Sequence, residues 1–192
     1  MQPLQNREGF TVRYLSVSGG LLAAIVLTAS CVLTARADAG GDIESALANT
    51  FRQQSYHMHM TTQTGDVVDG DVVAPDRMHI TVKQGEMIVI AGTTYFKLNG
   101  SWQKFPGANP MQTRADVLHN IQANKGKYTV DDLGMKLVGG VPLHAYRTTE
   151  PATKKTSTIY VDGEHRIVRI ETEGDIMELS RFGENVSITA PI

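Results

Sequence analysis

The sequence predicts an α+β domain, a long antiparallel sheet with two helical segments laid against it. Three observations lead there. Past residue 41, apolar and polar residues alternate in one short run after another. Turn dipeptides built on Gly, Asn and Asp separate these runs, and only two stretches switch to helical spacing.

The first helical stretch is GDIESALANTFRQQ, residues 41–54. Asp42 is placed to cap it, and Ile43, Ala46, Leu47 and Phe51 fall on one face. Period two then takes over. Tyr56, Met58 and Met60 alternate with His57, His59 and Thr61. DVVDGDVVAPD reads as short strands around a turn at Asp69-Gly70. Met78, Ile80 and Val82 alternate with Arg77, His79, Thr81 and Lys83. After Gln84-Gly85-Glu86 comes MIVIAG, apolar at every position of the strand, then TTYFKL and SWQKFPG on either side of Asn99-Gly100, a strong hairpin dipeptide. The second helical stretch is residues 110–123, with Met111, Val117 and Ile121 on a narrow stripe. KYTVDDL, MKLVGG, VPLHAYRTT, TSTIYVDGE, RIVRIET, IMELSRF and VSITAPI read as further strands. A sheet of this length curls. Curled and half-covered by two amphipathic helices, it encloses a hollow.

The first 37 residues read as a leader. Arg7 and Arg13 precede an apolar run through LLAAIVLTASCVLTA, which ends at Ala35-Arg36-Ala37, a boundary of the kind a signal peptidase reads. The expected division is a signal peptide over residues 1–37 and one domain over 38–192. Two other readings stand beside it. Cys31 follows Leu27-Thr28-Ala29-Ser30, a displaced version of the lipidation box. The run from Leu15 to Ala35 is also about 20 uncharged residues, enough to stay in a bilayer as an anchor. All three place the domain outside the cytoplasm, in the periplasm or cell envelope.

Removing Arg7, Arg13, Arg36 and Glu8 with the leader takes the chain from 18 basic and 20 acidic side chains to 15 and 19. A mildly anionic surface offers no basic patch for nucleic acid. Cys31 is the only cysteine, so disulfides, thiolate metal clusters and cysteine nucleophiles leave with the leader. No G-x-S-x-G, phosphate-binding glycine loop or H-E-x-x-H occurs. The expectation is a protein that is not an enzyme and uses no cofactor.

SYHMHM, residues 55–60, invites a copper reading. On a strand, however, His57 and His59 share one face while Met58 and Met60 share the other, so one strand cannot offer all four to one metal. His57 and His59 with His79, alike in parity, stay open as a zinc or copper(II) set. The simpler expectation is methionines inward and histidines outward. In DVVDGD the spacing of Asp66, Asp69 and Asp71 does not fit an EF-hand, and a solvated hairpin turn is expected.

GDVVAPDRMHITV, EMIVIAGTTYFKLNGSWQKFP, GVPLHAYR and the closing VSITAPI resemble the LolA/LolB-like bacterial lipoprotein carriers. The shared order is an exported chain, an N-terminal helix, a Pro-Asp-Arg strand, a Gly-x-x-Tyr strand, a Trp hairpin and an end at Ala-Pro. The resemblance implies an unclosed β-barrel with a helical lid over an apolar cavity that takes acyl chains. Tyr56, Met58, Met60, Met78, Ile80, Val82, Phe96, Leu98 and Trp102 are then the expected lining, rich in methionine as a surface for variable apolar shapes would be. An ordinary packed core made from the same residues is the alternative. The function expected is an exported binding protein for a lipid or lipid-modified protein, monomeric and able to associate with a membrane. The other reading is an envelope interaction protein that docks partners on its curved sheet.

Overall fold

The computed structural model describes residues 37–106 and 128–192. The leader and the second helical stretch, residues 110–123, lie outside these.

The described chain opens with helix α1 (Ala37–Arg52). It starts before the Gly40-Gly41 pair rather than after it. Two helical glycines cost about 1 kcal/mol each, and burial of Ala39 one turn before Ile43 offsets part of that. Asp42 is therefore inside the helix, not at its cap. Ile43, Ala46, Leu47 and Thr50 form its buried stripe. The Thr50 hydroxyl donates to the Ala46 carbonyl at 2.8 Å and accepts from the Ile167 backbone N–H at 2.8 Å. That buried pair of bonds fixes the C-terminal end of α1 on the sheet.

Eleven strands follow: β1 (Ser55–Thr61), β2 (Val67–Val73), β3 (Arg77–Val82), β4 (Gly85–Ile90), β5 (Thr93–Leu98), β6 (Ser101–Pro106), β7 (Thr129–Val138), β8 (Val141–Thr149), β9 (Thr156–Val161), β10 (Ile167–Thr172) and β11 (Asp175–Ser180). They make one sheet in the order β6-β5-β4-β3-β2-β1-β11-β10-β9-β8-β7, with every neighbouring pair antiparallel. Six strands meander away from β1, and five meander from β7 back to β11, which closes onto β1. The two edges are β6 and β7, consecutive in sequence and unpaired with each other among the described residues. This is the expected unclosed barrel, with α1 covering one face.

Three readings of the strands change. Asp69-Gly70 is not a turn but the middle of β2, opposite His59 and Met58. Turn propensity is local, and it yields here to two flanking strands that need Gly70: a Cβ on it would meet the His79 carbonyl oxygen at 2.9 Å and Ile80 Cγ1 at 3.0 Å. KYTVDDL and MKLVGG are one strand, β7, with a bulge between Asp132 and Gly134. The terminal VSITAPI is no strand. β11 already has a partner on each side, and the tail instead crosses the outer face, with Arg77 Nη1 donating to the Ile188 carbonyl at 2.9 Å.

The main core lies between α1 and the inner face of the sheet. Ile43 and Leu47 pack there with Met58, Met60, Met78, Ile80, Ile159, Ile170 and Met177. A smaller cluster of Ile88, Tyr95 and Ile188 forms on the outer face, flanked by Val73, Ile90, Trp102 and Val186. It explains why β4 is apolar at consecutive positions. Met87 and Val89 pair with inner-face Ile80 and Met78, while Ile88 and Ile90 lie beneath the tail.

Candidate functional site

The pleat divides the strands into two faces with different chemistry. The histidine–methionine stretch is split as parity requires. Met58 and Met60 are buried in the core, whereas His57 and His59 point outward to the carboxylates of β2. His57 Nδ1 lies 2.8 Å from Asp71 Oδ1, and His59 Nδ1 lies 2.8 Å from Asp69 Oδ1. His79 Nε2 pairs with Glu86 Oε2 at 3.2 Å, and Lys97 Nζ donates to Glu86 Oε1 at 2.8 Å. Each histidine of the suggested metal set thus faces an acidic side chain across the ladder, with Asp69 near both His57 and His59. Among the described residues no group of three or more His, Cys, Asp and Glu side chains is placed to hold a metal ion.

The outer-face carboxylates respond to these neighbours. The hydrogen bond from His59 holds the Asp69 carboxyl below the ordinary aspartate value, against an opposing push from burial, with the charges of His59 and His57 adding to it. The bond from Lys97 does the same for Glu86. A row of paired acids and bases on a solvated face is ladder electrostatics of the cross-strand kind.

The inner face changes character along the sheet. From β9 through β11 and β1 to β3 it is closed under α1, and Met58, Met60, Met78 and Ile80 are each buried there. Tyr56 and Val82 are half-buried at its margin. Beyond β3 the same face opens. Met87 and Phe96 are half-buried and in register with one another, and Leu98 and Phe105 are 46% and 40% exposed. The Phe96 and Phe105 rings meet edge-on with centroids 5.6 Å apart, a favoured aromatic arrangement. The result is an apolar strip on β4, β5 and β6, continuous with the core at Ile80 and Val89 and ending at the open edge.

Eight of the nine residues expected to line a hollow share this inner face; Trp102 does not. Its partner Lys97 is an outer-face residue, and the Lys97 ammonium sits 5.7 Å from the Trp102 ring centroid. Met87 and Phe105 belong to the strip and stand outside the expected set. Parity could have found Phe105, which stands three residues after Trp102 and so on the other face. Met87 was hidden because β4 is apolar on both sides.

At the other end of the inner face the polar groups gather near α1. The buried Tyr146 hydroxyl donates to Asp42 Oδ2 at 3.0 Å. His144 stacks on the Tyr146 ring at 4.6 Å, and its Nε2 lies 2.7 Å from Asp132 Oδ1. Burial, reinforced by the Asp42 carboxylate, pushes the Tyr146 phenol far above the ordinary tyrosine value. These groups lock α1, β7 and β8 together. The carboxylate oxygen that faces His144 also accepts from the Gly134 backbone N–H at 2.7 Å, so this His–Asp pair shapes the β7 bulge.

No protein-family model matches the chain, and no curated protein matches its sequence. Solved structures do match. LprF from Mycobacterium bovis aligns with a TM-score of 0.60 at 15% identity, over 81% of this chain and 98% of its own. The lipoprotein LppX from Mycobacterium tuberculosis aligns with a TM-score of 0.51 at 17% identity, over 78% of this chain and 97% of its own. A LolA superfamily protein from Nitrosomonas europaea is more distant, with a TM-score of 0.31 at 9% identity, over 74% of this chain and 90% of its own. What the chain shares with the two mycobacterial proteins is its fold.

Proposed function

We propose that this chain is an exported, non-enzymatic binding protein that holds an acyl chain, lipid or other apolar ligand against the open half of its inner face. The observation that carries this reading is the strip of Met87, Phe96, Leu98 and Phe105, apolar and accessible where the rest of the face is closed by α1. Soluble domains seldom leave contiguous apolar surface without a use for it. The fold shared with a protein named a lipoprotein, and the export signal read in residues 1–37, support the same conclusion.

Burial supplies the affinity. Each methylene removed from water contributes roughly 0.8 kcal/mol. About ten buried methylenes would give ~8 kcal/mol, the micromolar range before the cost of ordering the chain is subtracted. No directional contact is required, which suits a lining of methionine and phenylalanine. The second helical stretch, residues 110–123, lies outside the described residues.

One observation favours a second reading. Met58, Met60, Met78 and Ile80, expected around a hollow, are packed against Ile43 and Leu47 of α1. On that half the domain fills its own interior, as an envelope protein that docks partners on its sheet would do.

Native mass spectrometry with lipid extraction separates the two readings, applied to the protein purified from the cell envelope. The expected result is a co-purifying lipid or fatty acid that is lost in Leu98→Asp and Phe105→Asp, substitutions at exposed positions that leave the fold intact. A clean apo mass, unchanged after incubation with phospholipid, would sink the binding proposal and leave the docking reading in its place.

A further inference from the structure

The β7–β8 hairpin is longer than the sheet that supports it. β7 and β8 pair from Thr129 opposite Thr149 to Val138 opposite Val141, but β8 pairs with β9 only from His144 to Thr149. Residues 136–143 therefore run past the end of the β9 ladder as a two-stranded projection, turned by Gly139-Gly140, with Leu143 buried at its base and Met135 at its root. Both glycines have positive φ, 57° and 84°, as a two-residue hairpin turn demands.

Its side chains are unlike those of a solvated hairpin. Met135 is 62% exposed, Leu137 77% and Val141 55%, and Pro142 is exposed as well. Lys136 is the one charged residue in the projection. Register puts Leu137 and Pro142 on one side of the ribbon, and Val138 and Val141 on the other. A surface made for a folded protein partner presents one face. A tip that is apolar on both sides suits a medium that surrounds it.

We infer that this tip inserts into a lipid bilayer and seats the domain on the membrane surface. From Met135 to the turn the projection reaches about 10–13 Å at roughly 3.4 Å per residue, close to the depth of the headgroup–acyl boundary that interfacial elements occupy. Lys136 has an aliphatic stem long enough to return its ammonium to lipid phosphates. The base is held stiffly. The Gly134 backbone N–H donates to Asp132 Oδ1 at 2.7 Å at the bulge, and the same oxygen bonds His144.

A second observation points to the same medium. The apolar run of residues 15–35 ends immediately before α1, which packs against β7 and bonds β8 through Asp42 and Tyr146. The chain thus enters the domain beside this hairpin. Retention of the run, or a lipid on Cys31, would hold this edge nearest the bilayer. The tip is independent of the ligand strip, which lies at the opposite edge, on β4 to β6.

The test is a depth measurement on the full chain carrying Cys31→Ser and Leu137→Cys, labelled at the new thiol with an environment-sensitive fluorophore. Thr156→Cys, exposed on β9, is the control. The vesicles are equal parts phosphatidylethanolamine and phosphatidylglycerol, with and without brominated acyl chains. The expected result is a blue shift and bromine quenching at position 137 and neither at 156. A label at 137 that stays water-like and unquenched on vesicle-bound protein overturns the inference.

Discussion

The Tyr146 hydroxyl donates a hydrogen bond to the Asp42 carboxylate, 104 residues away in sequence, and thereby joins the first helix to the eighth strand. Tyr146 is only 3% exposed. Its protonated phenol is the form that can donate, and burial together with Asp42 raises its pKa well above the ordinary value of 10.0. A raised acid pKa means this contribution is complete below the unfolded-state value and is lost as pH rises through the folded one. Tyr146→Phe should destabilise the domain by about 1.5–3 kcal/mol, the range for a bond to a charged group, measured by urea unfolding at neutral pH. In an alkaline absorbance titration, wild type and Tyr146→Phe should release the same tyrosinate signal through the ordinary tyrosine range, separating only beyond it. A difference that opens near pH ~10 would contradict the pairing.

Gly70 sits between Met58 and Ile80 in the sheet. A side chain here has no room on the inner face, since its first carbon already meets backbone and Ile80 at about van der Waals overlap. Gly70→Val would gain strand propensity at an exposed site, but here it should lower stability by about 1–3 kcal/mol through overpacking. Thermal unfolding by circular dichroism checks this. A neutral or stabilised variant would mean that β1 to β3 pack more loosely than these distances say.

Much of this molecule is legible in its residues, and the misreadings have physical causes. Parity places Met58, Met60, His57 and His59 on their observed faces because β1 is paired on both sides, leaving register no freedom. Asp69-Gly70 misleads because a dipeptide's turn preference is a local property, overruled by continuous pairing with β1 and β3. The tail from Val186 to Ile188 alternates like a strand, yet it covers the outer-face Ile88 and Tyr95 instead of extending the ladder. Size alone points Trp102 inward; the register of β5 with β6 puts it outward. The open strip is the least legible part. Exposure of Leu98 and Phe105 follows from where α1 lies, which no strand-level pattern encodes.

The two kinds of methionine give a paired prediction. Met177 has no exposed surface and lies in the core beneath α1, whereas Met135 is 62% exposed on the projecting hairpin. Met177→Ala should cost about 2–5 kcal/mol, since both transfer and cavity terms apply. Met135→Ala should change stability by less than about 0.5 kcal/mol. Denaturant midpoints of both variants, read at constant slope, give the comparison. Equal effects would show that the two side chains do not differ in burial.

The Asp69 carboxylate faces His59 at 2.8 Å and His57 at 3.4 Å. Its pKa is held below the ordinary aspartate value of 3.8, first by the hydrogen bond from His59 and further by the charges of both histidines, with burial opposing. For a depressed carboxylate the unfolded chain takes up the proton more readily. The contribution is therefore present above about pH 4 and is lost as pH falls through the folded pKa. Because Asp69 is 44% exposed, screening keeps the effect modest, about 0.5–1 kcal/mol and smaller in high salt. Urea unfolding at about pH 3 and 5 should show wild type losing its advantage over Asp69→Asn toward the acid end. A gap that stays constant down to the lowest pH would mean that the Asp69→Asn substitution removes packing rather than charge, and that the ladder of histidines and aspartates on the outer face is not electrostatic in origin.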